Sequence, residues 1–215
     1  MRRRVTKSQE ERRRELIDAA RELFVQKGYE AASVSDIVRR ADVAQGTFYL
    51  YFASKQEVLA AIWRDLLEEL FGIIRSLMER PGLSAVERLR LAWEEVIAHM
   101  RPKSRLVEAV FLKANVSLPS QLLEEFNPHL MPVLTGIIEQ GRREGDIHVT
   151  HPEIAADFLW TVGYRLFERV AQEQMKAEQP PAPGSTGALR DLQDLQDAFW
   201  EFVTRGLGVT GGSRH

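Results

Sequence analysis

Ser33-Val-Ser-Asp-Ile-Val-Arg-Arg-Ala-Asp-Val-Ala-Gln-Gly-Thr-Phe-Tyr-Leu-Tyr-Phe-Ala-Ser-Lys-Gln-Glu-Val-Leu59 is the stretch on which the fold turns. It predicts a short helix over Val34 to Arg40, with Ser33 in front and Asp36 three residues on. At that spacing a hydroxyl and a carboxylate satisfy the free amides of a first turn. Asp42 and Val43 interrupt the pattern, and a second short helix follows over Ala44 to Tyr51. Ser54, with Glu57 at the same capping spacing, opens a long helix to about Glu79, which Pro81-Gly82 ends. Two short helices around a tight turn are unusual in a packing bundle and are what a helix-turn-helix requires.

Upstream, Leu16, Ala19, Ala20, Leu23 and Phe24 line one face of a helix over about Ser8 to Lys27, and Gly28 is its stop. Downstream, amphipathic helices are predicted over Ser84 to Met100, Leu106 to Val116, Ser120 to Glu144, Pro152 to Ala177 and Ala188 to Arg205. Pro128 and Pro132 predict a kink or break in the third of these. Residues 178–187 read as a linker and the end from Thr210 as a frayed tail. No segment alternates with period two, so the class is all-α, about nine helices: an N-terminal three-helix unit over residues 1–55 and a larger helical domain over 56–215.

The chain of 215 residues has a formal net charge of -2, which by itself points away from a nucleic-acid partner. The total averages unlike parts. Residues 1–55 hold 12 Lys+Arg against 8 Asp+Glu, a net of +4, and residues 56–215 hold 17 against 23, a net of -6. With no cysteine, disulfides, thiolate metal sites and a cysteine nucleophile are excluded. Without a long apolar run, neither a membrane span nor a signal peptide is expected, and the predicted location is cytoplasmic.

The composition of the second short helix suits a surface that reads base edges. Gly46 lets the backbone approach closely. Thr47 offers a methyl and a hydroxyl, and Tyr49 and Tyr51 carry hydroxyls that reach phosphate oxygens. Phe48 and Phe52, four apart, turn the other way into a small core. Lys55 stands at the start of the long helix, where its ammonium and the helix terminus can both clamp a phosphate. Arg2, Arg3 and Arg4 form an arm suited to a minor groove or to diffuse attraction.

From Glu15 to about Ile62 the chain resembles the TetR family of transcriptional regulators, most densely in the Gly-Thr-Phe-Tyr-Leu-Tyr-Phe run followed by Ser-Lys-Gln-Glu. The resemblance implies DNA contacts from Ser33, Ser35, Gln45, Gly46, Thr47, Tyr49, Tyr51 and Lys55. Ser33 also caps its helix, Ser35, Gln45, Gly46 and Thr47 face bases, and Tyr49, Tyr51 and Lys55 hold the backbone. It further implies a homodimer on a palindromic operator of double-stranded DNA, and repression released by a small-molecule effector. Three positions depart from the common pattern: Ala44 replaces a Ser or Thr cap, Asp42 replaces Gly, and Gln45 replaces a residue that is often Lys.

In the larger domain the resemblance implies a ligand pocket. Trp93, Ile97, Met100, Phe111, Asn115, Phe126, Leu130, Trp160 and Tyr164 are its candidate lining, which suits a largely apolar effector. The last two helices would pair with their copies, with Phe158, Val162, Leu166, Leu195, Phe199 and Phe202 among the candidates. No catalytic residue, cofactor or metal site is predicted, since His148 and His151 flank a loop without a third ligand. The alternative is a DNA-binding regulator controlled by a protein partner, without a small-molecule effector.

Overall fold

The computed structural model describes residues 8–107, 109, 118–178 and 188–210, with side chains at 8–107, 109, 124–170, 173 and 193–210. Several expectations fall outside them: the Arg2–Arg4 arm, most of the helix over Leu106 to Val116 including Phe111 and Asn115, the linker from 179 on, and the tail from 211 on. The described residues contain no strand.

The first helix, α1 (Gln9–Lys27), is opened by a capping box in which Ser8 Oγ accepts from Glu11 N (3.1 Å) and Glu11 accepts from Ser8 N (2.6 Å). It ends at Gly28, whose φ of 84° is open to glycine at little cost and whose amide donates to Phe24 O (2.9 Å). Then come α2 (Val34–Arg40), α3 (Gln45–Tyr49) and the long α4 (Lys55–Glu79). The rest is α5 (Ala85–Met100), a 3-10 turn (Arg101–Lys103), α6 (Ser104–Val107), α7 (Leu118–Glu144), α8 (Pro152–Glu178) and α9 (Ala188–Gly206). Of the kink or break expected there, the break is absent: α7 is one helix through Pro128 and Pro132. The two prolines stand four apart on an exposed stripe, so the carbonyls they leave without amide partners are on the water-facing side.

The chain divides into two compact units, Met1–Leu67 with Arg105–Leu122, and Glu68–Ser104 with Leu123–His215. The boundary expected after Lys55 therefore moves to within α4. The reason is packing: Val58, Leu59, Ala61, Ile62, Trp63, Leu66 and Leu67 are all buried. Asp65 is also paired with Arg14 (3.0 Å) and Arg21 (2.5 Å) of α1. A motif ends where its signature residues end, whereas an apolar stripe continues for as long as it has a surface to cover.

The second unit is built on Leu89, Ile97, Leu130, Leu134, Ile137, Ile138, Ile147, Leu166, Val170, Phe199 and Val203. Arg88 is buried, and its guanidinium donates to Leu77 O and to Arg80 O (2.7 Å). It thereby supplies donors at and just past the C-terminal end of α4, where among the described residues Leu77 O otherwise has only the long bond from Arg80 N (3.4 Å). Gly141 accepts on its carbonyl from Asp146 N (2.9 Å) and Ile147 N (3.1 Å), folding the chain back after α7. A Cβ at Gly141 would stand 2.5 Å from Ile147 Cδ1 and 2.9 Å from Ala85 Cβ, so any other residue here must push these side chains aside.

Candidate nucleic-acid interface

The head is assembled from aromatic contacts beneath α3. Phe48 is fully buried and meets Phe52 at 5.8 Å between ring centroids, with the Arg13 guanidinium 5.3 Å from the Phe52 ring. These contacts hold α3 by one face only. On the other face Gln45 and Gly46 are exposed, Thr47 and Tyr51 are half-buried, and Tyr49 is 54% exposed. The side chains of Ser35, Gln45, Thr47, Tyr49 and Tyr51 make no hydrogen bond to other described residues, so their donors and acceptors are available to a partner. The helix is one turn shorter than expected: Leu50 is its C-cap, and Tyr51 lies in the turn beyond.

Ser33 is spent locally. Its Oγ accepts from Asp36 N (3.1 Å) and donates to Asp36 Oδ2 (2.7 Å), while Ser33 N donates to the same carboxylate (3.0 Å). Asp36 is also paired with Lys27 and Arg39. The Lys27 ammonium first, and then Ser33, hold the Asp36 carboxyl far below the usual carboxylate range. Arg39 keeps most of its surface exposed on this side, and Arg40 is paired with Glu22 of α1.

Lys55 differs from its expected role. Its ammonium donates to Tyr29 O (2.8 Å), Ala32 O (2.9 Å) and Glu30 O (3.4 Å), and it lies 4.2 Å from the centroid of the Tyr29 ring. Those carbonyls belong to the loop between α1 and α2. The lysine thus ties α4 to that loop, and its charge is committed inside the head rather than held out toward a phosphate. Leu50, absent from the sequence reading, is 80% exposed between the two tyrosines. Its signal was its place in the Tyr-Leu-Tyr run, where an apolar residue with no core to join faces outward.

Residues 16–62 match the family model described as bacterial regulatory proteins, tetR family. A transcriptional regulator of Bacillus subtilis, YvdT, is 47% identical over 60 residues, spanning 28% of this chain and 31% of that one. The HTH-type transcriptional repressor KstR2 of Rhodococcus jostii is 33% identical over 156 residues, 69% of this chain and 74% of that one. The chain belongs to the TetR family of transcriptional regulators. Among solved structures, the regulator FadR from Bacillus subtilis in complex with stearoyl-CoA superposes with a TM-score of 0.67 at 22% identity, over 90% of this chain and 98% of that one.

Two of this chain's departures from the usual TetR pattern have structural consequences. Ala44 is the N-cap of α3 and provides no side-chain cap bond. Asp42 has a φ of 52°, the one positive value at a non-glycine among the described residues, at the position where Gly is common.

The described candidate effector residues, which leave out Phe111 and Asn115, are dispersed within the second unit. Trp93 and Ile97 line a groove of about 420 Å³ between α5 and α9. Met100 and Leu130 are buried, the latter in the core. Phe126 stacks on Phe71, with centroids 5.4 Å apart, and Trp160 lies 6.1 Å from Tyr164. Burial first, and then the Glu168 carboxylate, push the Tyr164 hydroxyl well above its ordinary range, so it is a neutral donor at any working pH. Sequence alone could not sort these residues, since lining and core share one composition.

Proposed function

We propose that this protein is a homodimeric repressor that binds a two-fold-symmetric operator and is released from it by a small, largely apolar effector. The exposed face of α3 carries this reading: Gln45, Gly46, Thr47 and Tyr49 stand together without hydrogen-bond partners among the described side chains, on a unit whose sequence carries a net charge of +4. Ser33, Ser35 and Tyr51 flank them, Leu50 offers an apolar contact for a thymine methyl, and Lys55 positions the loop beneath them.

The pairing surface is the face of α8 and α9 where Phe158 (64% exposed), Phe202 (59%) and Ile154 (50%) stand in water around a shallow apolar groove that also includes Leu159 and Val162. A two-fold operator requires the two recognition helices of the pair to stand about 34–36 Å apart, one turn of duplex. The effector class is supported by the stearoyl-CoA complex of the structural neighbour and by the apolar candidates Trp93, Ile97, Met100, Phe126, Leu130, Trp160 and Tyr164. Coupling would run along α4, whose residues belong to both compact units.

The test selects a duplex from a random library with the full chain and then titrates stearoyl-CoA against the labelled complex. Release at stoichiometric effector supports the reading. No selectable duplex would refute the operator, and an acyl-CoA that binds without changing operator affinity would refute the derepression.

A further inference from the structure

We propose that residues 2–7 are the phosphate-binding element of this regulator: they supply most of its salt-dependent affinity for duplex DNA, while the folded head reads bases with uncharged groups. Only the partner, DNA, is taken from the operator reading above. The positive excess of the head lies wholly in this segment. Residues 1–7 hold Arg2, Arg3, Arg4 and Lys7 and no acid, a net of +4. Residues 8–55 hold 8 Lys+Arg against 8 Asp+Glu, a net of zero. The stretch of α4 that completes the first unit adds Arg64 against Glu57 and Asp65. Attraction to the duplex backbone follows the number of phosphates a protein neutralises, and a neutral head neutralises few.

Each Lys and Arg of residues 8–55 is already engaged. Arg14 and Arg21 share Asp65, and Lys27 and Arg39 share Asp36. Arg12 pairs with Glu15 (2.7 Å) and Arg40 with Glu22. Arg13 lies against the Phe52 ring, and Lys55 is spent on carbonyls. A paired arginine that turned to a phosphate would leave its carboxylate facing the same duplex, so the exchange brings no net charge. The base-reading side chains Gln45, Thr47 and Tyr49 carry no charge either. Placement favours the segment as well. Arg13 stands 5.3 Å from the ring of Phe52, the residue after Tyr51, which sets the first turns of α1 beside the end of the recognition element. From Arg13 back to Ser8 the helix rises about 7.5 Å, and six residues can span up to about 20 Å. The four charges before Ser8 are therefore within reach of a duplex lying on α3.

Fluorescence anisotropy on the full chain, between about 50 and 200 mM salt, tests this with two duplexes of equal length. One is the duplex selected from the random library and the other is a scrambled sequence. The variant Arg2→Gln, Arg3→Gln, Arg4→Gln, Lys7→Gln changes only residues ahead of the capping Ser8 and should unfold at the parent's temperature. Four phosphate contacts correspond to a slope of log affinity on log salt of about 3.6 per chain. The variant's slope should be shallower by at least about 2 per chain on both duplexes, so the parent's advantage shrinks about 16-fold across that range. The preference for the selected over the scrambled duplex should persist within about threefold, because phosphates carry no sequence. Arg39→Gln, which removes a paired cation, should change the slope by less than about 0.9. A smaller slope change in the fourfold variant, a preference lost with the four charges, or a larger change from Arg39→Gln than from the four together would each overturn the proposal. The scrambled duplex needs no operator, so the slopes are read even where selection fails. Failure of the operator reading shows separately, as a parent protein without preference between the two duplexes.

Discussion

Replacing Lys55 by Met removes the ammonium and keeps the stem that packs beside Tyr29. Two of the lost hydrogen bonds are short, to Tyr29 O at 2.8 Å and Ala32 O at 2.9 Å, and the third, to Glu30 O at 3.4 Å, is weak. A hydrogen bond to a charged group contributes about 1.5–3 kcal/mol, and the cation over the Tyr29 ring adds about 0.5–1 kcal/mol at a part-exposed site. The three bonds share one donor group and do not add in full, so the expected loss is about 2–4 kcal/mol. Urea unfolding at a fixed protomer concentration would read it as a lower midpoint with an unchanged slope. Amide exchange should speed up first in the loop after Gly28. The competing account, in which Lys55 clamps a phosphate, makes the opposite forecast. Stability would change by less than about 0.5 kcal/mol, as for an ordinary surface substitution. The dependence of log affinity on log salt would then become shallower by about 0.9. That pair of results would refute the structural role.

Three further outcomes follow from the same geometry. Gly141→Ala forces a Cβ against Ile147 and Ala85 and should cost about 1–3 kcal/mol in thermal or urea unfolding, with operator affinity per folded dimer unchanged. Asp36 has a lowered folded-state pKa, so the stability it contributes is complete above its unfolded value and is lost as pH falls through the folded one. The stability gap between the parent and Asp36→Asn should therefore be widest near neutrality and narrow below about pH 4, and a gap independent of pH would contradict the Lys27 and Ser33 contacts. Phe158→Glu with Phe202→Glu should shift sedimentation from dimer to monomer and weaken operator binding while circular dichroism stays helical; an unchanged dimer would place the interface elsewhere.

Much of the head was legible in the sequence because its signals are local. Ser33 with Asp36 and Ser54 with Glu57 mark helix starts by hydrogen bonds that span three residues, and α2 occupies Val34–Arg40 as read. Phe48 and Phe52 declare the buried side of α3 by spacing alone, leaving Gln45, Thr47 and Tyr49 for the outer side. Whether Pro128 and Pro132 break their helix was not legible for the converse reason. A proline's effect on a helix depends on which way its freed carbonyl faces, and that depends on packing.

The sequence by itself determined the all-α class, the order of the head helices and the family, because caps, stops and apolar stripes act over three to seven residues and survive without a tertiary context. Only the tertiary structure decided what Lys55 does, where the first unit ends within α4, and which aromatic residues of the body meet one another. Lys55 reaches carbonyls 23 to 26 residues away in the chain. Trp93 finds Phe199 across more than a hundred residues, and Asp65 returns to Arg14 and Arg21 of α1. No periodicity in a single chain encodes such pairs. They exist because closing the core brings distant side chains together, and their chemistry is set by what they meet there.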